Sequence, residues 1–127
     1  MMEWQLQKQC FQWFVTEYPA HSKLLCYNLN NSKDKSSAIQ NKKIGLQKGR
    51  ADLSLYFNGT AYFFELKTRT GEQSYFQKEW QMAVEIQGFE YFLVRDLEYF
   101  KLLIDCIIDY APRHGLTLRE YIEQYLT

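Results

Sequence analysis

The feature that most limits how this chain can fold is an Asn58-Gly59 dipeptide between two runs rich in aromatic and branched residues. These runs are Asp52-Leu-Ser-Leu-Tyr-Phe57 and Thr60-Ala-Tyr-Phe-Phe-Glu-Leu-Lys67. Both central residues of a tight two-residue hairpin loop need positive φ, which Asn and Gly adopt at low cost. Read as such a loop, the dipeptide sets Phe57 opposite Thr60. Counting outward, Asp52 falls opposite Glu65 and Arg50 opposite Lys67. Opposed residues share a face, with Cβ atoms roughly 4.5–5.5 Å apart. Glu65 and Lys67 also share a face, because side chains alternate along a strand. Local geometry therefore gathers two carboxylates and an ammonium on one side of a sheet.

Like charges set opposite each other destabilise a sheet. A divalent cation would compensate. A small set of hard oxygen ligands suits Mg²⁺, which keeps several waters and shares its shell with phosphate; Mn²⁺ is the expected substitute. Such an ion acidifies water and neutralises charge on a phosphoryl oxygen. Lys67 would hold or polarise the attacking water, or stabilise developing charge. The alternative from spacing alone is an ordinary exposed ion cluster on a sheet face.

The flanking segments read as α and β elements in turn. Leu6, Cys10 and Phe14 recur at helical spacing within a predicted helix over 3–18, which Pro19 ends. Leu24 to Tyr27 reads as a short strand. Residues 28–48 are poor in apolar side chains and read as a long loop, which suggests function or mobility. After Gly71 the period turns helical, with Ser74 and Gln77 as a capping box and Phe76, Trp80, Ala83 and Val84 as the expected inner stripe. Gly88 closes that helix, and Tyr91 to Val94 reads as a buried strand. Asp96 caps a helix carrying Leu97, Phe100, Leu103, Ile104 and Ile107. Pro112 to Gly115 break the chain, and Thr117 and Glu120 begin a last short helix. The order is α-β-β-β-α-β with helices appended. It predicts one α/β domain over 1–127, a mixed four-stranded sheet with helices packed on it.

Charge is balanced overall but uneven in sequence. Residues 1–71 hold 10 Lys and Arg against 5 Asp and Glu, and residues 72–127 hold 5 against 10. Lys33, Lys35, Lys42, Lys43 and Lys48 crowd the predicted loop, opposed there only by Asp34. Such a segment suits nucleic acid, or is simply solvated. Arg50 and Arg69 flank the carboxylates and would clamp a phosphate backbone. Cys10, Cys26 and Cys106 are widely spaced with no CxxC, which argues against a disulfide framework or zinc knuckle. The N-terminus lacks the pattern of a signal peptide, and no apolar run reaches membrane-spanning length. A cytoplasmic, reducing setting without a membrane is expected. His21 and His114 lie near helix breaks and read as non-catalytic.

Gly49-Arg50-Ala51-Asp52, followed after the hairpin by Glu65-Leu66-Lys67, resembles the PD-(D/E)xK nuclease motif, with Ala51 where that motif has Pro. More narrowly, the chain resembles the VRR-NUC branch, the virus-type replication-repair nucleases. Ser74-Tyr-Phe-Gln77-Lys-Glu-Trp80 is similar to that family's Ser-x-x-Gln-x-x-Trp helix start. Gly88-Phe-Glu-Tyr91-Phe-Leu-Val94 is similar to its following strand, and Glu3 and Gln7 to its early Glu and Gln. The resemblance covers about residues 3 to 104. It implies a restriction-endonuclease-like αβββαβ core and a metal held by Asp52, Glu65 and the Leu66 carbonyl. Glu3 would join that shell directly or through water, unless it serves only as a helix-dipole charge. Lys67 would activate water. Gln77 would position water or phosphate, beside its role in the capping box. The implied activity is Mg²⁺-dependent hydrolysis of DNA, leaving 5′-phosphate and 3′-hydroxyl ends. Branched DNA such as a Holliday junction is the implied substrate. A homodimer, a phage or bacterial replication-repair role, and a partner protein are further implications, with the apolar third helix as a source of dimer surface. The competing readings are a DNA-binding module without catalysis, a sequence-reading restriction-like endonuclease, and a small interaction protein.

Overall fold

The hairpin forms in the expected register. The computed structural model describes residues 1–29, 32–110 and 115–126. Four strands, β1 (Leu25–Tyr27), β2 (Leu53–Phe57), β3 (Thr60–Leu66) and β4 (Glu90–Val94), lie side by side in that order. Phe57 pairs with Thr60 and the antiparallel ladder runs to Leu53 opposite Phe64. Asn58 has φ 53° and Gly59 φ 75°, the two positive angles that this turn requires. β1 extends the sheet antiparallel to β2, while β4 runs parallel to β3, with Phe63 beside Tyr91 and Glu65 beside Leu93.

β3 is buried on both faces from Ala61 to Leu66, as a central strand between two helical layers must be. On one face Tyr62, Phe64 and Leu66 join Leu53, Leu55, Phe92 and Val94 in the main core. Helix α1 (Glu3–Glu17) closes that core with Leu6, Cys10 and Phe14, which recur every four residues as predicted. On the other face Ala51, Ala61, Phe63 and Tyr91 pack against Trp80, Val84 and Phe89.

The link between β1 and β2 departs from expectation. Within the predicted loop lies a helix, α2 (Lys35–Lys43), capped by Asp34, whose carboxylate accepts from the Ser37 amide at 2.7 Å. None of its residues is buried. It has no apolar stripe for a periodicity reading to find; the Asp34 cap was the only local signal.

Helix α3 (Tyr75–Ile86) follows β3 and carries the chain over the sheet to β4. Ser74 Oγ accepts from the Gln77 amide at 3.2 Å and Gln77 Oε1 accepts from the Ser74 amide at 2.8 Å, so the capping box is complete. The inner stripe differs from the expected one. Gln77, Trp80, Gln81 and Val84 are half-buried, whereas Phe76 and Ala83 are exposed. The predicted stripe chose apolar residues, but the inward face of α3 includes two glutamines.

Helix α4 (Leu97–Asp109) is capped by Asp96, which accepts from the Tyr99 amide at 2.7 Å. Its Phe100, Leu103, Ile104 and Ile107 are buried in the main core with Leu118 and Ile122 of α5 (Leu118–Leu126). These residues are buried within the chain, so the apolar stripe of that helix is not available as the expected source of dimer surface. Thr117 and Glu120 form the second capping pair, at 3.1 and 3.2 Å. Gly115 has φ 73°, and Pro112, Arg113 and His114 lie outside the described residues.

A Cβ on Gly59 would meet no atom within 4 Å, so only its backbone angle restricts that position. Gly59→Val is expected to destabilise the fold by about 1–2 kcal/mol in urea unfolding, and Gly59→Asn by less, since Asn tolerates positive φ.

Candidate functional site

Asp52 stands one residue before β2, where the hairpin ladder ends. If hydrogen-bonded pairs kept alternating from Phe57 and Thr60, the Leu66 amide would donate to the Ala51 carbonyl. It donates to Asp52 Oδ2 instead, at 2.7 Å. The Ala51 carbonyl accepts from Asn28 Nδ2 at 3.1 Å, and the Asn28 amide donates to the Asp52 carbonyl at 2.8 Å. Asn28 Nδ2 also donates to Ser54 Oγ at 2.6 Å. Buried Asn28 thus draws the chain at Ala51 toward β1, and the Asp52 carboxylate bridges to β3. The expected opposition of Arg50 and Lys67 falls beyond the ladder, whose last pair is Leu53 with Phe64; the Lys67 amide, on the side of β4, donates to the Val94 carbonyl at 2.9 Å. Nothing in the sequence pattern marks Asn28, which falls at the first position of the loop predicted over 28–48.

Glu65 has no exposed surface, and neither carboxylate oxygen has a hydrogen-bond partner among the described residues. Its acidity responds accordingly. Burial, then the negative charge of Asp52, push its pKa up to about 9; Lys67 pulls the other way and Glu3 adds to the rise. Lys67 is itself buried, with its stem near Gly71. Tyr91, next to Phe63 on the same face, has its hydroxyl pushed up chiefly by burial and then by Glu65. That hydroxyl accepts from Gln73 Nε2 at 3.2 Å, and Gln73 Nε2 also donates to Gln81 Oε1 at 2.9 Å. The sequence had offered Tyr91 only as a buried strand residue, and gave no sign of this amide pair.

Gln77 lies on the first turn of α3, where its Oε1 accepts from the Ser74 amide. The chain leading to Asp52 is pressed against that turn at Gly49. A Cβ there would come within 2.3 Å of the Phe76 carbonyl carbon and 2.7 Å of the Gln77 amide nitrogen. Lys48 lies over the Phe76 ring, its Nζ 4.3 Å from the centroid. On the far side, the Arg95 guanidinium donates to the carbonyls of Thr68, Arg69 and Gly71 at 2.7, 3.3 and 2.6 Å. It fixes the turn that follows Lys67 and carries exposed Arg69. Half-buried Arg50 lies between Gly49 and Ala51. Lys42 and Lys43 are exposed on the last turn of α2. His21 is packed between Tyr18 and Phe57 rings, at 6.4 and 5.2 Å, and His114 lies outside the described residues.

Among the described residues, no group of three or more His, Cys, Asp or Glu side chains is close enough to hold a metal. Glu3 is therefore not a third carboxylate beside Asp52 and Glu65. It is exposed in the first turn of α1 and acts on Glu65 through its field. The remaining donors are two carboxylates and backbone oxygen, including the Leu66 carbonyl. That set fits Mg²⁺, which takes few protein ligands and keeps its waters. The fit rests on Glu65: this buried carboxyl group lies beside a second carboxylate, and the Lys67 charge does not offset the burial and repulsion that hold its pKa up.

No protein-family model matches the chain, and no curated protein matches it. A solved structure described as a VRR_NUC domain protein is similar to it, at a TM-score of 0.72 over 85% of this chain and 88% of that one. The chain has the VRR_NUC fold. Sequence identity across that similarity is 14%, so the likeness lies in the backbone. The mixed four-stranded sheet flanked by helices is thus a restriction-endonuclease-like arrangement. In this VRR_NUC fold Asp52 and Glu65 lie on the hairpin, and Gln77 opens the helix that follows. No helix among the described residues is long and apolar enough to cross a membrane.

Two outcomes are expected. Gly49→Ala places a methyl group into backbone at φ 83°, and should destabilise the fold by about 2 kcal/mol or more in chemical denaturation. In metal-free buffer burial holds the Glu65 pKa up at about 9 in the folded protein, whereas an unfolded chain releases that proton near the ordinary value of 4.5. The stability this group gives is complete below the lower value and is lost as pH rises through the higher one. Glu65→Gln should flatten that decline in a Tm series across pH 5 to 9, and an unchanged slope would exclude Glu65 as its source.

Proposed function

We propose that the protein is a metal-dependent endonuclease that hydrolyses DNA phosphodiester bonds at Asp52, Glu65 and Lys67. The observation that carries this reading is the fully buried Glu65 carboxyl group held against Asp52 beside Lys67. A protein without use for a cation has no reason to keep two carboxylates together out of water. The VRR_NUC neighbour supports the nuclease class.

Asp52, Glu65 and the Leu66 carbonyl would hold Mg²⁺, or Mn²⁺ in its place. Glu3 would act on that shell through water. The chemistry such an ion supplies is acidification of water and charge neutralisation at the phosphoryl oxygen. Asp52 is oriented by the Leu66 amide, so its position is fixed by backbone before any ligand arrives. The Lys67 ammonium, on the residue before the turn that Arg95 fixes, would donate to the attacking water and stabilise charge on phosphorus-bound oxygen. Gln77 would position water or phosphate from α3. A new oxygen–phosphorus bond forms in line as the bond to the 3′ oxygen breaks. That oxygen takes a proton, leaving 5′-phosphate and 3′-hydroxyl ends.

Lys42, Lys43, Lys48, Arg50 and Arg69 would bind the phosphate backbone. Branched DNA, such as a four-way junction, is the substrate proposed. One chain has one such site, so symmetric cutting of two strands requires a second copy, hence a homodimer. A replication or repair role, with a protein partner of that kind, completes the proposal.

The test is cleavage of labelled four-way junction, flap, single-stranded and linear duplex DNA with Mg²⁺ or Mn²⁺. Cutting should stop in EDTA and fall about a hundredfold or more in Asp52→Ala and Lys67→Ala. Failure of the folded wild-type protein to cut any of these substrates would overturn the nuclease reading.

A further inference from the structure

Helix α2 contributes nothing to either hydrophobic cluster, and none of its residues is buried. Its two sides differ. At 100° per residue, Lys35, Ile39, Lys42 and Lys43 fall within one arc. All four are exposed, Ile39 at 60%, and Ile44 just past the helix is exposed at 81%. No acidic residue lies between Lys35 and Lys43. On the other side Ser36, Ser37, Gln40 and Asn41 line a shallow cavity with Leu29 and Lys33, and Asn41 Nδ2 donates to Ser32 Oγ at 3.1 Å, so this side meets the segment that leads into α2. The chain leaving α2 returns through Lys48 on Phe76 and Gly49 on the first turn of α3, three residues from Asp52.

A nine-residue helix has little stability of its own, and lysines crowded on one face repel each other. A polyanion relieves that repulsion. A small anion would leave Ile39 in water. Duplex DNA meets both demands: phosphates line the edges of a groove that admits a helix, and thymine methyl groups on its floor accept apolar contact.

We propose that α2 is a duplex-docking helix, with Lys35, Lys42 and Lys43 on phosphates and Ile39 against the groove, that holds DNA beside Asp52. The choice of DNA as the polyanion rests on the nuclease reading; the docking face itself does not.

Fluorescence anisotropy with a fluorescein-labelled linear duplex in EDTA, over a NaCl series, tests this without cleavage. A Lys42→Gln, Lys43→Gln double variant should lower the slope of log affinity against log salt by about two. Ile39→Ser should weaken binding by about tenfold at every salt concentration and leave the slope unchanged. Lys101→Gln on α4 should match the wild type. All these positions are at the surface, and matching circular dichroism and Tm would establish that the variants fold. Wild-type affinity and slope in both α2 variants would overturn the proposal, as would a wild-type protein that binds no duplex at low salt. Equal binding to polyglutamate, with the same dependence on Lys42, Lys43 and Ile39, would overturn the duplex assignment. If the wild type cuts DNA and the α2 variants bind it normally, only the docking helix fails. If α2-dependent binding occurs and nothing is cut, only the nuclease reading fails.

Discussion

The hydrogen bond from the Leu66 amide to the Asp52 carboxylate is the constraint on which the site's geometry depends. It replaces a backbone rung that the hairpin would otherwise have made. Because it does, Asp52 crosses to β3 and faces Glu65, which lies beside Leu93 of β4 with no surface exposed. Asn28 makes the replacement possible by taking the carbonyl of Ala51. One displaced rung thus couples β1, β2 and β3 at the place where two carboxylates meet. The cost is electrostatic, and it appears as the reluctance of Glu65 to ionise.

The surroundings hold this arrangement from both ends. Gly49 lets the chain before Asp52 touch the backbone of α3, with no room for a side chain. Arg95 holds three carbonyls after Lys67. The rigid elements are therefore joined to the short segments that carry Asp52 and Lys67 by contacts to backbone. Substitutions of neighbouring side chains disturb such contacts less than they would side-chain packing.

Much of this was legible in the sequence, for identifiable reasons. Asn58-Gly59 determines a turn through φ alone, so register followed by counting. Leu6, Cys10 and Phe14 lie at helical spacing and are buried, as is the Phe100 to Ile107 stripe of α4. Capping boxes at Ser74 and Thr117 located two helix starts to the residue. Other features depend on contacts distant in sequence. Asn28 and Ala51 are 23 residues apart, and Arg95 and Gly71 24. No local period reports such pairs. Helix α2 was missed for a different reason: its stability does not come from burying an apolar face, which is what periodicity detects. The inner face of α3 was misjudged because Gln77 and Gln81 turn inward to polar partners and Phe76 does not.

The shortness of the hairpin has a consequence for how the protein reaches its native state. Asp52 and Glu65 stand on one hairpin with a two-residue turn, so the strands that carry them approach by closing a very small loop, and only the last displacement, in which Asn28 takes the Ala51 carbonyl, needs β1 in place. Hairpins of this kind form in roughly 1–10 μs, faster than the distant pairings of β1 with β2 or β3 with β4 can be searched. The carboxylates therefore meet while the strand is still hydrated and their repulsion is screened. Glu65 loses its water later, when β4 pairs beside it. The least comfortable group in the molecule is desolvated near the end of folding, after the contacts that hold it have formed.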